Sequence, residues 1–241
     1  MKKWLMLLCF CFFVFPAYGF ASDIRFEAYS FTPKLGLDLH NGKQTLNLKD
    51  TLGIVDSDTV TGKVEINDRV RLTWLDLSYV GTKPLLESPW GDFQAGSDLL
   101  LRYGGIGLFL PIISTERYQL KGLMDVKYYT VGGRFGAFFS DSVLVSTDSM
   151  KFSGIAPSFG LAAAGKITDN LQVYGEASAL PMGSFGYYAE GDIGIKYKVK
   201  DAAFFQAGYK NYLISTRNEA LTTDLKTEIS GPYFGLQYDF R

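Results

Sequence analysis

His40 is the only histidine of the chain, and it stands two residues after Asp38. Asp56 and Asp58 repeat the same spacing a short way downstream. Side chains two apart on a strand share a face, so Asp38 could orient and charge-stabilise the imidazole. An enzymatic role would need Asp38, His40, Asp56 and Asp58 to meet at the extracellular rim. Asn41-Gly42 follows directly, so the competing reading is a histidine that merely flanks a turn. A second population of charges recurs at every other position of otherwise apolar segments. These are Arg25, Glu27, Lys63, Glu65, Asp98, Arg102, Lys121, Asp125, Lys127, Glu176, Glu190, Asp192, Lys196 and Lys210. With both signs mixed, they suit either a paired, hydrogen-bonded interior or a constricted polar path for small solutes. The sequence carries no glycine-rich phosphate loop, no metal-ligand cluster and no recognisable Ser-His arrangement, so no cofactor and no metal are expected.

The elements that must position these residues are strands. The chain closes on Gly231-Pro-Tyr-Phe-Gly-Leu-Gln-Tyr-Asp-Phe-Arg241, in which Phe234, Leu236, Tyr238 and Phe240 alternate with Gly235, Gln237 and Asp239. An aromatic edge of this kind invites aggregation unless another strand pairs with it. Closure into a barrel removes the edge, and in lipid closure is obligatory. At the other end, Lys2 and Lys3, the apolar run Trp4 to Phe15 and the small residues Gly19 and Ala21 form a secretory signal pattern. Cleavage is expected after Ala21, leaving residues 22–241 as the barrel. The apolar core is short for a membrane helix, which needs about 20 residues. Cys9 and Cys11 are the only cysteines and lie in the removed part, which suits passage through an oxidising periplasm. Without Lys2 and Lys3, 22 basic residues face 25 acidic ones, a net charge of −3 with no basic block, so nucleic acid is not an expected partner.

The period of two is clearest in 187–198. Tyr187, Ala189, Gly191, Ile193, Ile195 and Tyr197 oppose Tyr188, Glu190, Asp192, Lys196 and Lys198. Tyrosines at both ends of the apolar face fit two interfacial girdles. In 118–128, Tyr118, Leu120, Met124, Val126 and Tyr128 oppose Gln119, Lys121, Asp125 and Lys127. In 93–103 the same rule puts Phe93, Ala95, Leu99, Leu101 and Tyr103 towards lipid and Gln94, Asp98 and Arg102 inside. A soluble β-sandwich shares part of this pattern, but many strands with aromatic-ended apolar faces favour lipid over one shared core.

Strands are expected near 229–240, 202–214, 186–198, 170–180, 153–165, 117–135, 92–110 and 69–80. Region 24–66 adds two more, for about ten in a closed antiparallel transmembrane β-barrel, with eight as the alternative. Ile24, Phe26 and Ala28 are out of phase with Leu35, Leu37 and Leu39, which implies a bulge near Pro33. Residues 72–77 change phase around Trp74-Leu75 in the same way. Asn67-Asp68 reads as a tight turn. Leu46 to Ile54 is long enough to plug the mouth, with Asp50 able to cap a helical turn over Leu52, or to be an ordinary surface loop. Strand 229–240 should close the ring against Ile24-Phe26-Ala28.

Arg25-Phe-Glu-Ala-Tyr-Ser-Phe31, Leu-Lys-Asp-Thr-Leu-Gly (48–53), Arg71-Leu-Thr-Trp-Leu-Asp-Leu-Ser-Tyr79 and the aromatic end resemble a group of small bacterial outer-membrane barrel proteins of uncharacterised role. The resemblance implies location in the cell outer membrane and a barrel architecture. In that group the last position is Phe, whereas here Arg241 follows Phe240. The Asp-x-His and Asp-x-Asp pairs look like those of the omptin proteases, ten-stranded barrels that activate a water with them, although here Asp-x-His comes first. A lipid-modifying barrel enzyme is a further alternative. The expected role is non-enzymatic, in envelope structure, surface interaction or passage of small solutes. Outer-membrane lipids and the barrel-insertion machinery, engaged through the C-terminal strand, are the expected partners.

Overall fold

The computed structural model describes residues 23–41, 44–47, 49–50, 53–86, 93–139, 143–181, 186–218 and 223–240. Residues 1–21, where a signal segment is expected, Leu52 and Arg241 lie outside these residues. Alternation sets up β1 (Ile24–Phe31), β2 (Lys34–Asn41), β3 (Gln44–Asn47), β4 (Ile54–Val55), β5 (Thr59–Ile66) and β6 (Val70–Leu86). It continues through β7 (Phe93–Ser114), β8 (Tyr118–Phe139), β9 (Val143–Lys166), β10 (Leu171–Pro181), β11 (Gly186–Lys200), β12 (Ala203–Asn218) and β13 (Thr223–Phe240). All pairings are antiparallel, and β1-β5-β6-β7-β8-β9-β10-β11-β12-β13 closes on itself through β1–β13. The ring has ten strands rather than eight. Closure falls where the sequence put it, with Ile24 opposite Phe240 and Ala28 opposite Leu236. Asn67 and Asp68 adopt positive φ in the tight turn between β5 and β6, as a type I′ hairpin requires.

The bulge expected at Pro33 is absent. β1 and β2 share one uninterrupted register on β13, from Ile24 opposite Phe240 through Phe31 opposite Tyr233 and Lys34 opposite Ser230 to Asn41 opposite Thr223. The Thr32 N–H donates to the Pro232 carbonyl across the break at 3.1 Å. Proline interrupts the ladder because it has no N–H, yet no residue is inserted. Odd positions therefore face inward throughout, from Glu27 and Tyr29 to Phe31, Leu35 and Leu37, all of them buried. What changes at Pro33 is the chemistry of the two faces and not the phase. β6 follows the same rule, since Arg71, Leu75, Leu77 and Tyr79 are all buried and share one parity.

Strand length gives the reason. A barrel strand crosses a bilayer in about 9–11 residues, and β10, with 11, does little more. β7 and β8 have 22 residues each and β9 has 24. Their far halves stand clear of the hydrocarbon, so their outer face meets water and their inner face becomes the apolar core. Within the bilayer the polarity is reversed. Ile106, Met124, Val126, Ile155, Phe159, Phe205, Phe234 and Leu236 are exposed on the outer face, where lipid covers them. The short turns at 67–69, 115–117, 167–170 and 201–202 mark the periplasmic end.

Candidate functional site

The interior is stacked in layers along the barrel axis. The layer nearest the periplasm is ionic. Arg25 Nη1 lies 2.6 Å from Glu65 and its Nε 3.3 Å from Asp239. Lys63 reaches Glu65 at 3.1 Å, Glu27 at 3.4 Å and Glu176 at 3.0 Å. Arg71 pairs with Asp125 through two hydrogen bonds and with Glu176 at 2.7 Å. Lys127 bonds Glu190, Lys196 bonds Glu27 at 2.7 Å and Gln237 at 2.7 Å, and Lys210 bonds Asp192 at 2.5 Å. The chain of contacts runs unbroken from Arg25 to Lys127. Both signs interleave, and each buried cation meets a carboxylate, the condition under which such charges survive away from water.

Above it lies a tyrosine layer. Tyr29 donates to Glu27, Tyr188 to Glu190 at 2.6 Å and Tyr233 to Asp192 at 2.7 Å, while the Tyr174 and Tyr233 hydroxyls meet each other. Tyr29, Tyr188 and Tyr233 thus turn their hydroxyls to the ionic layer and their apolar bodies to what lies above, whereas Tyr174 rises from the periplasmic side with its ring beneath Lys196. Lys210 sits 4.7 Å from the centroid of Tyr29 and 4.9 Å from that of Tyr233, which adds cation–π attraction. Over the tyrosines, Phe31, Leu35, Leu37, Ile54, Leu75, Leu77, Tyr79, Leu101 and Ile229 form one apolar cluster. Two glycines make the packing possible. A Cβ on Gly107 would strike Asp125 and lie 2.9 Å from Arg71 Cγ, and one on Gly208 would strike the Ile193 carbonyl and the hydroxyl end of Tyr233.

Arg25, Glu27, Lys63, Glu65, Lys121, Asp125, Lys127, Glu176, Glu190, Asp192, Lys196 and Lys210 all face the interior. Asp98 and Arg102 do not, which corrects the expectation from the sequence. Both are exposed, and Arg102 Nε pairs at 2.9 Å with Asp76 outside the barrel while Leu99, Leu101 and Tyr103 line the inside. They stand on the part of β7 above the bilayer, where water rather than lipid wets the outer wall. Arg71 was missed because the apparent phase change at Trp74-Leu75 hid its parity. Its alternation with Leu72 and Trp74 was the available signal. Asp68, in the periplasmic turn, contacts Arg25 at 3.3 Å and Lys121 at 3.4 Å. Partial burial opposes its charge, but these two cations outweigh that and hold the carboxyl below its ordinary value.

The rim constellation does not assemble. Asp38 and His40 lie on the face of β2 opposite to Leu35 and Leu37, which are buried. His40 Nδ1 hydrogen-bonds the Thr45 hydroxyl at 2.8 Å across the β2–β3 hairpin. Asp56 instead accepts from the Leu35 N–H at 2.9 Å and from Lys49 at 2.8 Å, and Asp58 is exposed beyond β4. Asp56 thereby seals the barrel wall where β5 leaves β2 unpaired. In 46–54, Asn47 accepts from the Asp50 N–H at 3.0 Å as a helix cap does, while the turn over Leu52 lies outside the described residues. Ile54 from this segment enters the apolar cluster. Among the described residues no group of His, Cys, Asp and Glu is arranged to hold a metal.

A closed ring with a lipid-facing apolar belt, aromatic ends and short turns at one end defines an outer-membrane β-barrel. No protein-family model matches the chain, and no curated protein sequence does. Among solved structures it is similar to the outer membrane protease OmpT from Escherichia coli, at 9% identity, 90% of this chain, 97% of that chain and a TM-score of 0.58. It is also similar to the outer membrane protein OprG from Pseudomonas aeruginosa, at 17% identity over 91% of this chain and 95% of that one, with a TM-score of 0.32. The attachment invasion locus protein Ail of Yersinia pestis matches at 10% identity, 90% and 99% coverage, and a TM-score of 0.36. At 9% identity the likeness to the OmpT structure is one of fold.

Proposed function

We propose that this chain is a non-conducting, non-enzymatic outer-membrane barrel that serves the envelope as a structural element or by presenting its projecting outer half to partners. The observation that carries this reading is the pair of stacked fillings across one lumen. The ionic layer from Arg25 to Lys127 lies beneath tyrosines and an apolar cluster. For a solute to pass, buried pairs such as Lys196–Glu27 would have to separate and the cluster around Phe31 and Tyr233 would have to open. Each of those steps costs several kcal/mol. Small-solute passage is therefore the weaker form of the non-enzymatic reading. The partnering of His40 with Thr45 and of Asp56 with Lys49 leaves the rim-protease alternative without a support of its own. Insertion would be guided by β13, whose Phe234, Leu236, Tyr238 and Phe240 face outward beside β1.

Recording from the purified barrel in planar bilayers tests the proposal. A flat trace at ordinary holding potentials is expected, and reproducible discrete conductance steps would overturn it.

A further inference from the structure

We propose that the periplasmic vestibule of the barrel binds a small multivalent oxyanion, a polycarboxylate or phosphate, through Lys121, Lys166 and Lys198. Below the ionic layer the lumen opens into a cavity of about 340 Å³, within the usual range for small-molecule sites. Small side chains hollow it out. Ala162 and Ala164 face inward on β9 where neighbouring strands carry Lys121, Tyr174 and Glu176.

The inward lysines of the ionic layer and the vestibule divide into two kinds. Deep in the lumen, Lys63, Lys127, Lys196 and Lys210 are each in direct contact with a carboxylate. Around the vestibule the pairing fails. Among the described residues the one carboxylate paired with Lys121 is the half-exposed Asp68 at 3.4 Å, and the one paired with Lys198 is the fully exposed Asp201 at 3.7 Å. Lys166 has no carboxylate within ion-pair distance among the described residues. The deeper acids of the cavity are already engaged, Glu65 and Asp239 by Arg25 and Glu176 by Lys63 and Arg71. That leaves Asp169 and Asp201, both exposed in turns, and Asp68, which Arg25 shares, beside the three lysines.

A partly enclosed site strengthens attraction to an anion over what the same charges give in water. Register places Lys166 opposite Gln172 and Gln172 opposite Lys196, so an amide donor stands between two ammonium groups on adjacent strands. Phe109, 5.0 Å below the Lys121 ammonium, and Phe204 offer an apolar wall to the carbon skeleton of an organic anion.

Isothermal titration of the folded barrel in detergent with citrate and, separately, with inorganic phosphate tests the inference. Saturable binding with a Kd of roughly 0.1–1 mM for at least one probe is expected. The triple variant Lys121→Gln, Lys166→Gln, Lys198→Gln should weaken it at least about tenfold, a change of about 1.4 kcal/mol. Ala162→Leu, which fills the void and keeps every charge, should weaken it as well, while Arg102→Gln on the outer wall should not. Heat-dependent gel mobility verifies that each variant has folded, and if Ala162→Leu fails to fold the lysine variant decides. Absence of saturable heat for both probes, or binding that survives the triple substitution, overturns the proposal. So does an equal loss in Arg102→Gln. A conductance trace bears on the sealed lumen and leaves this result untouched.

Discussion

Arg102 on β7 and Asp76 on β6 are ion-paired at 2.9 Å on the outside of the barrel, at the level where Leu75, Leu77 and Leu101 fill its inside. Lower on the same two strands the arrangement is reversed, with Arg71 buried in the lumen and Ile106 and Leu108 exposed on the wall. One backbone parity thus serves two solvents. The boundary between lipid and water falls between Ile106 and Arg102, and the two faces exchange chemistry there.

That boundary can be mapped by single cysteines, because residues 22–241 contain none. Arg102→Cys and Asp98→Cys should react readily with a membrane-impermeant maleimide when the barrel is in vesicles. Ile106→Cys and Val126→Cys should stay unlabelled until detergent is added. Labelling of Ile106→Cys in intact vesicles at the rate of Arg102→Cys would place the boundary elsewhere.

The same exchange separates what was legible in the sequence from what was not. Glu190, Asp192 and Lys196 could be read as inward because β11 has 15 residues and lies mostly within the bilayer, where apolar means outward. The closure of β13 on β1 was legible for that reason too. β7 was read backwards above Tyr103, and a bulge was expected at Pro33, because period analysis presumes that a face keeps its chemistry along the strand. Nothing in a period of two reveals where a strand leaves the membrane. The tyrosine layer was not legible because nothing local to Tyr29 or Tyr233 shows that folding puts Glu27 and Asp192 at their hydroxyls.

Asp56 substitutes for a missing strand by accepting from the Leu35 N–H and holding Lys49. Asp56→Ala should leave a buried donor without its acceptor at a cost of about 1–3 kcal/mol and release the segment that contains Lys49. Limited trypsin digestion of the folded barrel is the measurement, with new cleavage after Lys49 expected in the variant. Identical digestion patterns would mean that the segment is anchored by Ile54 instead.

Gly107 gives room to the Arg71–Asp125 pair. Gly107→Val should force both side chains aside, and overpacking of this kind costs about 1–3 kcal/mol. Gly104, whose Cβ would meet nothing within 4 Å, provides the comparison. Gly104→Val should fold normally, and the midpoint of the heat-induced gel shift should fall only for Gly107→Val. Equal midpoints would show that the lumen at Gly107 is looser than the contacts imply.

Glu27 is the most exacting position in the ionic layer. Its side chain is fully buried, and it takes a hydrogen bond from Tyr29 and contacts from Lys196 at 2.7 Å and Lys63 at 3.4 Å. Lys63 keeps Glu65 and Glu176 if Glu27 is lost, whereas Lys196 keeps Gln237 and the face of Tyr174 but, among the described residues, no paired carboxylate. Glu27→Ala should therefore strand the Lys196 charge and destabilise the barrel by about 3–5 kcal/mol. The double variant Glu27→Ala, Lys196→Met removes the stranded charge and should recover part of that loss. Removing an ion pair whole costs less than breaking it, so a coupling of roughly 1–3 kcal/mol is expected between the two sites. Denaturant unfolding of the wild type, both single variants and the double variant gives the cycle directly. Strict additivity would mean that water reaches Lys196 from the vestibule and that the ionic layer is hydrated at its lower edge.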